Sequence, residues 1–142
     1  PEATEAAFGG GWFRSGDGAM LDDEGFVYIV DRKKDMIISG GENVYCAEVE
    51  NALARHPAIA ACAVIGVPSA EWGETVHAVI VLKPGAELDL ASLQQHCREL
   101  IAGYKCPRSF EVRPALPISA AGKVLKTELR KPHWEGRTRA IN

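Results

Sequence analysis

Nine residues from Ile59 to Val67, Ile-Ala-Ala-Cys-Ala-Val-Ile-Gly-Val, run without one charged side chain. No other stretch restricts the fold as much. The run is far short of the ~20 apolar residues that span a membrane. It is bounded by Pro57 and Pro68 and holds several β-branched residues, so it reads as a buried strand. The remaining chain must then supply its partners and its cover.

Those elements are legible on either side. Ala47–His56 reads as a helix with Val49, Ala52, Leu53 and His56 on one face, stopped by Pro57. Thr75–Leu82 reads as a second strand, with Val76, Ala78, Ile80 and Leu82 sharing a face. Asp89 suits the N-cap of a helix through Ala102, which turns Leu90, Leu93, Cys97, Leu100 and Ile101 inward and ends at Gly103. Phe110–Val112 is a third strand. Thr127 caps a last short helix that Pro132 ends. The expected architecture is a small α+β sandwich, in which helices pack a mostly antiparallel, three-stranded sheet.

The first third is different. Phe8–Asp17 is a glycine-rich loop. Ala19–Leu21, the turn Asp22–Gly25 and Phe26–Val30 form a β-hairpin. Five charges from Asp31 to Asp35 make a candidate linker. Met36–Ile38 is a short strand that ends in the tight turn Ser39-Gly40-Gly41.

The net charge of −3 over 142 residues hides an asymmetry. Residues 1–50 sum to −7, and residues 101–142 to +6. A basic end can be a solvated face or a site for an anion such as a polyphosphate or nucleic acid. The four cysteines form no C-x-x-C pair, and His96-Cys97 alone makes no zinc site. Buried thiols and a reducing, cytoplasmic setting are expected, with no metal site and no transmembrane segment. Pro1 in place of a starting Met points to a fragment or a processed chain. Phosphate loops of the G-x-x-x-x-G-K-[ST] type, G-x-G-x-x-G and H-E-x-x-H are missing, so a complete stand-alone enzyme is hard to see.

Three segments place a charge beside a residue that lets backbone come close. They are Trp12-Phe13-Arg14-Ser15-Gly16-Asp17, Asp31-Arg32-Lys33-Lys34-Asp35-Met36-Ile37-Ile38-Ser39-Gly40-Gly41-Glu42-Asn43, and Pro117-Ile118-Ser119-Ala120-Ala121-Gly122-Lys123. In this order and spacing the chain, from about Thr4 to about Lys131, resembles the C-terminal end of an AMP-forming acyl-CoA synthetase. These belong to the superfamily of adenylate-forming enzymes. The stretch Ile37 to Tyr45 resembles its acid–CoA ligase branch.

The resemblance implies an enzyme that makes an acyl-adenylate from a carboxylic acid and ATP, then passes the acyl group to coenzyme A. It implies residues 1–33 as the tail of a large N-terminal domain and 34–142 as a small mobile domain. That small domain turns about a hinge to present one face in each half-reaction. By the same resemblance, Asp17 binds the ribose hydroxyls and Arg32 lies near ribose and phosphates. Lys34 is the hinge, and Lys123 is the catalytic lysine of adenylation. Gly40 and Gly41 border the pantetheine tunnel, while Trp72, Tyr104 and Arg108 lie near the coenzyme's nucleotide.

Each assignment has a physical reason. A carboxylate accepts from two hydroxyls at once. A guanidinium carries a permanent forked charge, and an ammonium offsets the repulsion between a carboxylate and the α-phosphate. Ala121 stands where Ser or Thr is commoner in the family, and Cys46 where proline is frequent. The implied partners are a fatty or aryl acid, ATP with Mg held mainly by the large domain, coenzyme A, and that large domain itself. Nucleic acid is not among them, and the fragment alone should be inactive. Two alternatives stay open: an adenylation domain loading a carrier-protein phosphopantetheine, and a non-catalytic nucleotide- or nucleic-acid-binding α+β module.

Overall fold

The computed structural model describes residues 2–137. The chain opens with α1 (Glu2–Ala7) and a two-residue pairing of β1 (Phe8–Gly9) with β2 (Trp12–Phe13). β3 (Asp17–Leu21) and β4 (Val27–Arg32) form the expected hairpin, closed by Asp22, whose carboxylate accepts from the Glu24 and Phe26 amides and the Tyr28 hydroxyl. No side chain described between residues 2 and 33 is buried. Trp12 is 81% exposed and Leu21 70%, with Phe13, Phe26, Val27 and Ile29 also open to solvent.

The core starts at β5 (Ile37–Ser39), which turns through Gly40 and Gly41 into β6 (Glu42–Val44). Both glycines take positive φ, +60° and +87°. That pair of left-handed residues makes the two-residue turn whose twist suits an antiparallel hairpin. Then come α2 (Cys46–Leu53), β7 (Ile59–Ser69), β8 (Gly73–Leu82), α3 (Leu90–Arg98), β9 (Ser109–Val112) and α4 (Lys126–Trp134).

β7 and β8 pair antiparallel along their lengths, and β5 and β9 share the other edge of β8. Only β9 runs parallel. The α+β architecture stands, but the sheet has five strands, β6-β5-β8-β7 with β9 beside β8, where the sequence pattern counted three. The Gly40-Gly41 turn adds β6, which is too short to show a pattern.

Strand alternation explains the apolar run. Val64 on β7 and Val76, Ala78 and Ile80 on β8 face α2 and α3, with Val49, Leu53, Leu93 and Cys97. Ala63, Ile65, Val67 and Val79 face the other way, onto Leu129 of α4. A strand covered on both faces has no use for polar alternation.

Asp89 caps α3 as expected, accepting from the Ser92 amide at 2.9 Å. Asp89→Ala should therefore lower stability by about 1 kcal/mol, read as a smaller urea midpoint with an unchanged m-value. Three end signals read differently in the structure. α3 stops at Arg98, and Gly103 opens a 3₁₀ turn over Gly103–Lys105 without a left-handed φ. Thr127 lies inside α4, whose N-cap is Leu125, and Pro132 sits within the helix instead of ending it. Tertiary anchoring overrides the proline: the Trp134 indole N–H reaches the Gly66 carbonyl of β7 at 2.9 Å. α2 also ends at Leu53, before His56.

Candidate functional site

A cleft of about 300 Å³ is lined by Arg32, Lys34, Asp35, Ser119 and the run Lys123–Thr127. It unites cations from opposite ends of the sequence. Local folding explains how each arrives. Asp17 and Arg32 face one another across the β3–β4 hairpin, with Arg32 Nε 3.7 Å from Asp17 Oδ1. Both side chains keep solvent contact, so the pair is loose and each partner can turn to another group.

Lys33–Asp35 is a single 3₁₀ turn, which aims Lys34 into the same cleft. This charged run is no bare linker. The Asp31 carboxylate accepts from the Ala47 amide at 3.2 Å, in the first turn of α2. Tyr45, at the N-cap, cannot do so. Asp35 pairs with the buried Arg130.

Lys123 stands on a tight loop. Ile118 bridges Val124, the Ser119 amide donates to the Lys123 carbonyl at 2.8 Å, and the Lys123 amide donates to Ser119 Oγ at 3.1 Å. Gly122 turns this loop at φ +76°. Lys123 is exposed and has no carboxylate partner among the described residues.

Lys126, three residues on, is the opposite case. Its Nζ lies 2.7 Å from Glu50 Oε1, which also accepts from the Val64 amide. Of these two lysines, Lys126 is thus committed to the fold and Lys123 is available to an anion. Cys46 is buried against this region, its thiol donating to the Asp35 carbonyl. Burial pushes that thiol up to about 12, so it stays protonated at neutral pH and is no nucleophile. All four cysteines are unpaired.

A second cluster sits at the β5–β6 turn. The Gly40 amide donates to the Trp72 carbonyl at 2.9 Å. A Cβ on Gly40 would lie 2.6 Å from Trp72 Cε3, so only glycine lets the indole settle there. One on Gly41 would meet nothing within 4 Å. The Arg108 guanidinium lies 4.6 Å from the centre of the Trp72 ring. An aromatic face under a cation is a fitting platform for a phosphorylated, aromatic ligand.

Gly40, Gly41, Trp72 and Arg108 therefore gather, and none of them lines the cation cleft. Tyr104 stands on the Gly103–Lys105 turn, partly exposed, beside Lys105, which Glu48 holds at 2.7 Å. Among the described residues, no hydrogen bond or ring contact joins Tyr104 to Trp72 or Arg108. Sequence reasoning missed Ser119, which braces Lys123, and the pairs Asp35–Arg130 and Glu50–Lys126. The residues of each pair are too far apart in sequence to leave a spacing signal.

A family model described as AMP-binding enzyme C-terminal domain matches residues 48–123. A feruloyl-CoA synthase of Amycolatopsis sp is 51% identical over 131 residues, 92% of this chain and 27% of that protein. The structure of o-succinylbenzoate CoA synthetase from Bacillus subtilis, in complex with an acyl-adenylate intermediate, matches with a TM-score of 0.82 at 45% identity. The match covers 88% of this chain and 25% of that one. ATP-bound MatB from Rhodopseudomonas palustris matches with a TM-score of 0.85 at 38% identity, over 93% of this chain and 26% of that one. The chain spans about a quarter of the length of the relatives it matches.

Proposed function

The chain belongs to the family of AMP-binding enzyme C-terminal domains, and from that premise we propose that it forms the end of an ATP-dependent acid–CoA ligase. In this reading residues 34–142 are the small mobile domain, and residues 1–33 are the tail of the large domain. The exposed apolar side chains of the first 33 residues support that division. A hairpin showing Phe26, Val27 and Ile29 to solvent needs a larger body to cover it.

The observation that carries the reading is the cleft that brings Arg32 and Lys34 to the unpartnered Lys123. Adenylation drives a carboxylate oxygen onto the α-phosphorus of ATP, with pyrophosphate leaving. Two anions must meet, and an ammonium between them offsets their repulsion as charge builds on the phosphate oxygens. Asp17 takes the ribose hydroxyls, and Arg32 the neighbouring phosphates.

The cleft fits polyphosphate and not a bare cation. Its one carboxylate, Asp35, is held by Arg130. Mg is therefore assigned to the large domain. In the second half-reaction the domain turns at Lys34 and brings the Gly40-Gly41 turn to the acyl-adenylate. The thiol of CoA then attacks the acyl carbon and AMP leaves. A turn without side chains leaves room for the pantetheine arm, and the Trp72–Arg108 pair favours the nucleotide of free CoA over a bare carrier-protein arm. The substrate is a fatty or aryl acid, and the setting is cytoplasmic. No helix among the described residues is long and apolar enough to cross a membrane.

The test uses the intact ligase with a panel of carboxylic acids. With ATP and CoA it should release AMP and pyrophosphate and form an acyl-CoA. Acyl-adenylate that reaches a carrier protein but never free CoA would overturn the choice of acceptor. Trp72→Ala should raise the KM for CoA several-fold, given ~0.5–2 kcal/mol for a cation over an aromatic face, and leave that for ATP unchanged.

A further inference from the structure

We propose that His77, Glu111 and His133 form a binding site for a divalent transition-metal ion of the zinc type, which clamps α4 onto the β8–β9 edge of the sheet. The site is separate from both faces assigned above, and it does not depend on the ligase reading. The three residues come from three elements, β8, β9 and α4, and no local spacing links them. One ligand atom from each lies within 4.8 Å of the other two. A tetrahedral ion with bonds of about 2.1 Å asks for donors roughly 3.4 Å apart, so small side-chain rotations close the site.

The state of His77 is the second observation. The residue is 6% exposed, and its Nε2 is buried without a hydrogen-bond partner among the described residues. Its Nδ1 lies 2.7 Å from Ser109 Oγ. With the Nδ1 proton donated to that hydroxyl, Nε2 presents a bare lone pair. This is how a second hydrogen bond sets the tautomer of a metal-ligating histidine. Burial, and then the neighbouring His133, hold His77 below the ordinary histidine value.

His133 approaches on α4, the two ring centres 5.0 Å apart. Glu111 supplies the anion. Two imidazoles and one carboxylate are a borderline-soft donor set that suits zinc over magnesium or calcium, with a water completing four-coordination. Without metal, Arg113 occupies the carboxylate, its Nε 2.6 Å from Glu111 Oε1. At about one-third exposure that guanidinium can swing to solvent as the ion enters.

The experiment is titration of the full chain with Co²⁺ and with Zn²⁺, followed by visible absorption, calorimetry and thermal melting. One ion should bind per chain, with cobalt d–d bands, without a thiolate charge-transfer band, and with a rise in Tm on adding Zn²⁺. His133→Ala and Glu111→Gln should each weaken binding by more than tenfold and abolish the Tm rise. Ser109→Ala, which touches no metal, should cost roughly 10–100-fold. Arg113→Met should tighten binding, a gain that loss of folding cannot mimic. Circular dichroism confirms that the variants fold. Absence of stoichiometric binding, a thiolate band, or binding that survives His133→Ala but is lost in His56→Ala or His96→Ala would overturn the site.

Discussion

Replacing Lys123 by alanine in the intact ligase should slow acyl-adenylate formation by about 10²–10³, the usual effect of removing one charge-stabilising group from a transition state. The structure says why little else should change. Lys123 is exposed, pairs with no carboxylate among the described residues, and its loop is held by backbone bonds and Ser119 Oγ. Truncating the side chain removes no hydrogen bond that shapes the loop. The thermal midpoint should stay within a degree or two. Acyl transfer from supplied acyl-adenylate to CoA should keep most of its rate, because the proposed function assigns the second half-reaction to the other face. Lys126→Ala makes the contrast. It strands Glu50 in a half-buried position, so that variant should lose stability as well as activity. Pyrophosphate release, read beside a urea melt, separates the two.

Gly41→Leu should give the reverse kinetic pattern. A Cβ there would meet nothing within 4 Å, so a larger side chain starts into open space, the space proposed for the pantetheine arm. The left-handed φ of +87° adds local strain of about 1–2 kcal/mol, confined to the β5–β6 turn. Blocking or displacing the thiol by about an ångström costs on the order of 10²-fold in an aligned reaction. CoA transfer should fall by that order, while adenylation stays within a few-fold of the unsubstituted enzyme. Gly40 is the poorer probe. Its new Cβ would strike Trp72, so loss of transfer there would mix a blocked tunnel with a displaced indole.

How much of this was legible depends on the range of the signal. The apolar run Ile59–Val67 announced a buried strand because both its faces are covered, by α2 and α3 on one side and α4 on the other. Asp89 announced its helix because capping is a contact with a near neighbour. Gly40 and Gly41 announced a turn because positive φ is a local demand. Chain-distant effects were not legible. Pro132 sits inside α4 because Trp134 is tied to Gly66 on a strand far back in the sequence. β6 is local but only three residues long, too short to show a pattern of its own beside the turn that folds it onto β5.

The same divide runs through the site. Asp17, Arg32 and Lys123 stood out from short motifs, and the fold brings Arg32 to Lys123 across the cleft. Ser119 braces Lys123 from within the same loop, but a single serine in a loop carries no pattern. Asp31 at the start of α2 and the His77–Glu111–His133 group depend on elements meeting in space, which no spacing encodes. The charged run 31–35 shows both effects. Its composition marked a linker, yet Asp31 and Asp35 fasten it to α2 and Arg130.

In the proposed function one small domain serves two half-reactions through two separate faces. The direct measurement is a rapid-quench comparison of Lys123→Ala and Gly41→Leu in the intact ligase. Each half-reaction is timed on its own: acid plus ATP to acyl-adenylate, and supplied acyl-adenylate plus CoA to thioester. Two separate faces should give a crossed result, with Lys123→Ala defective in the first step alone and Gly41→Leu in the second alone. Equal losses in both steps for either variant would contradict it.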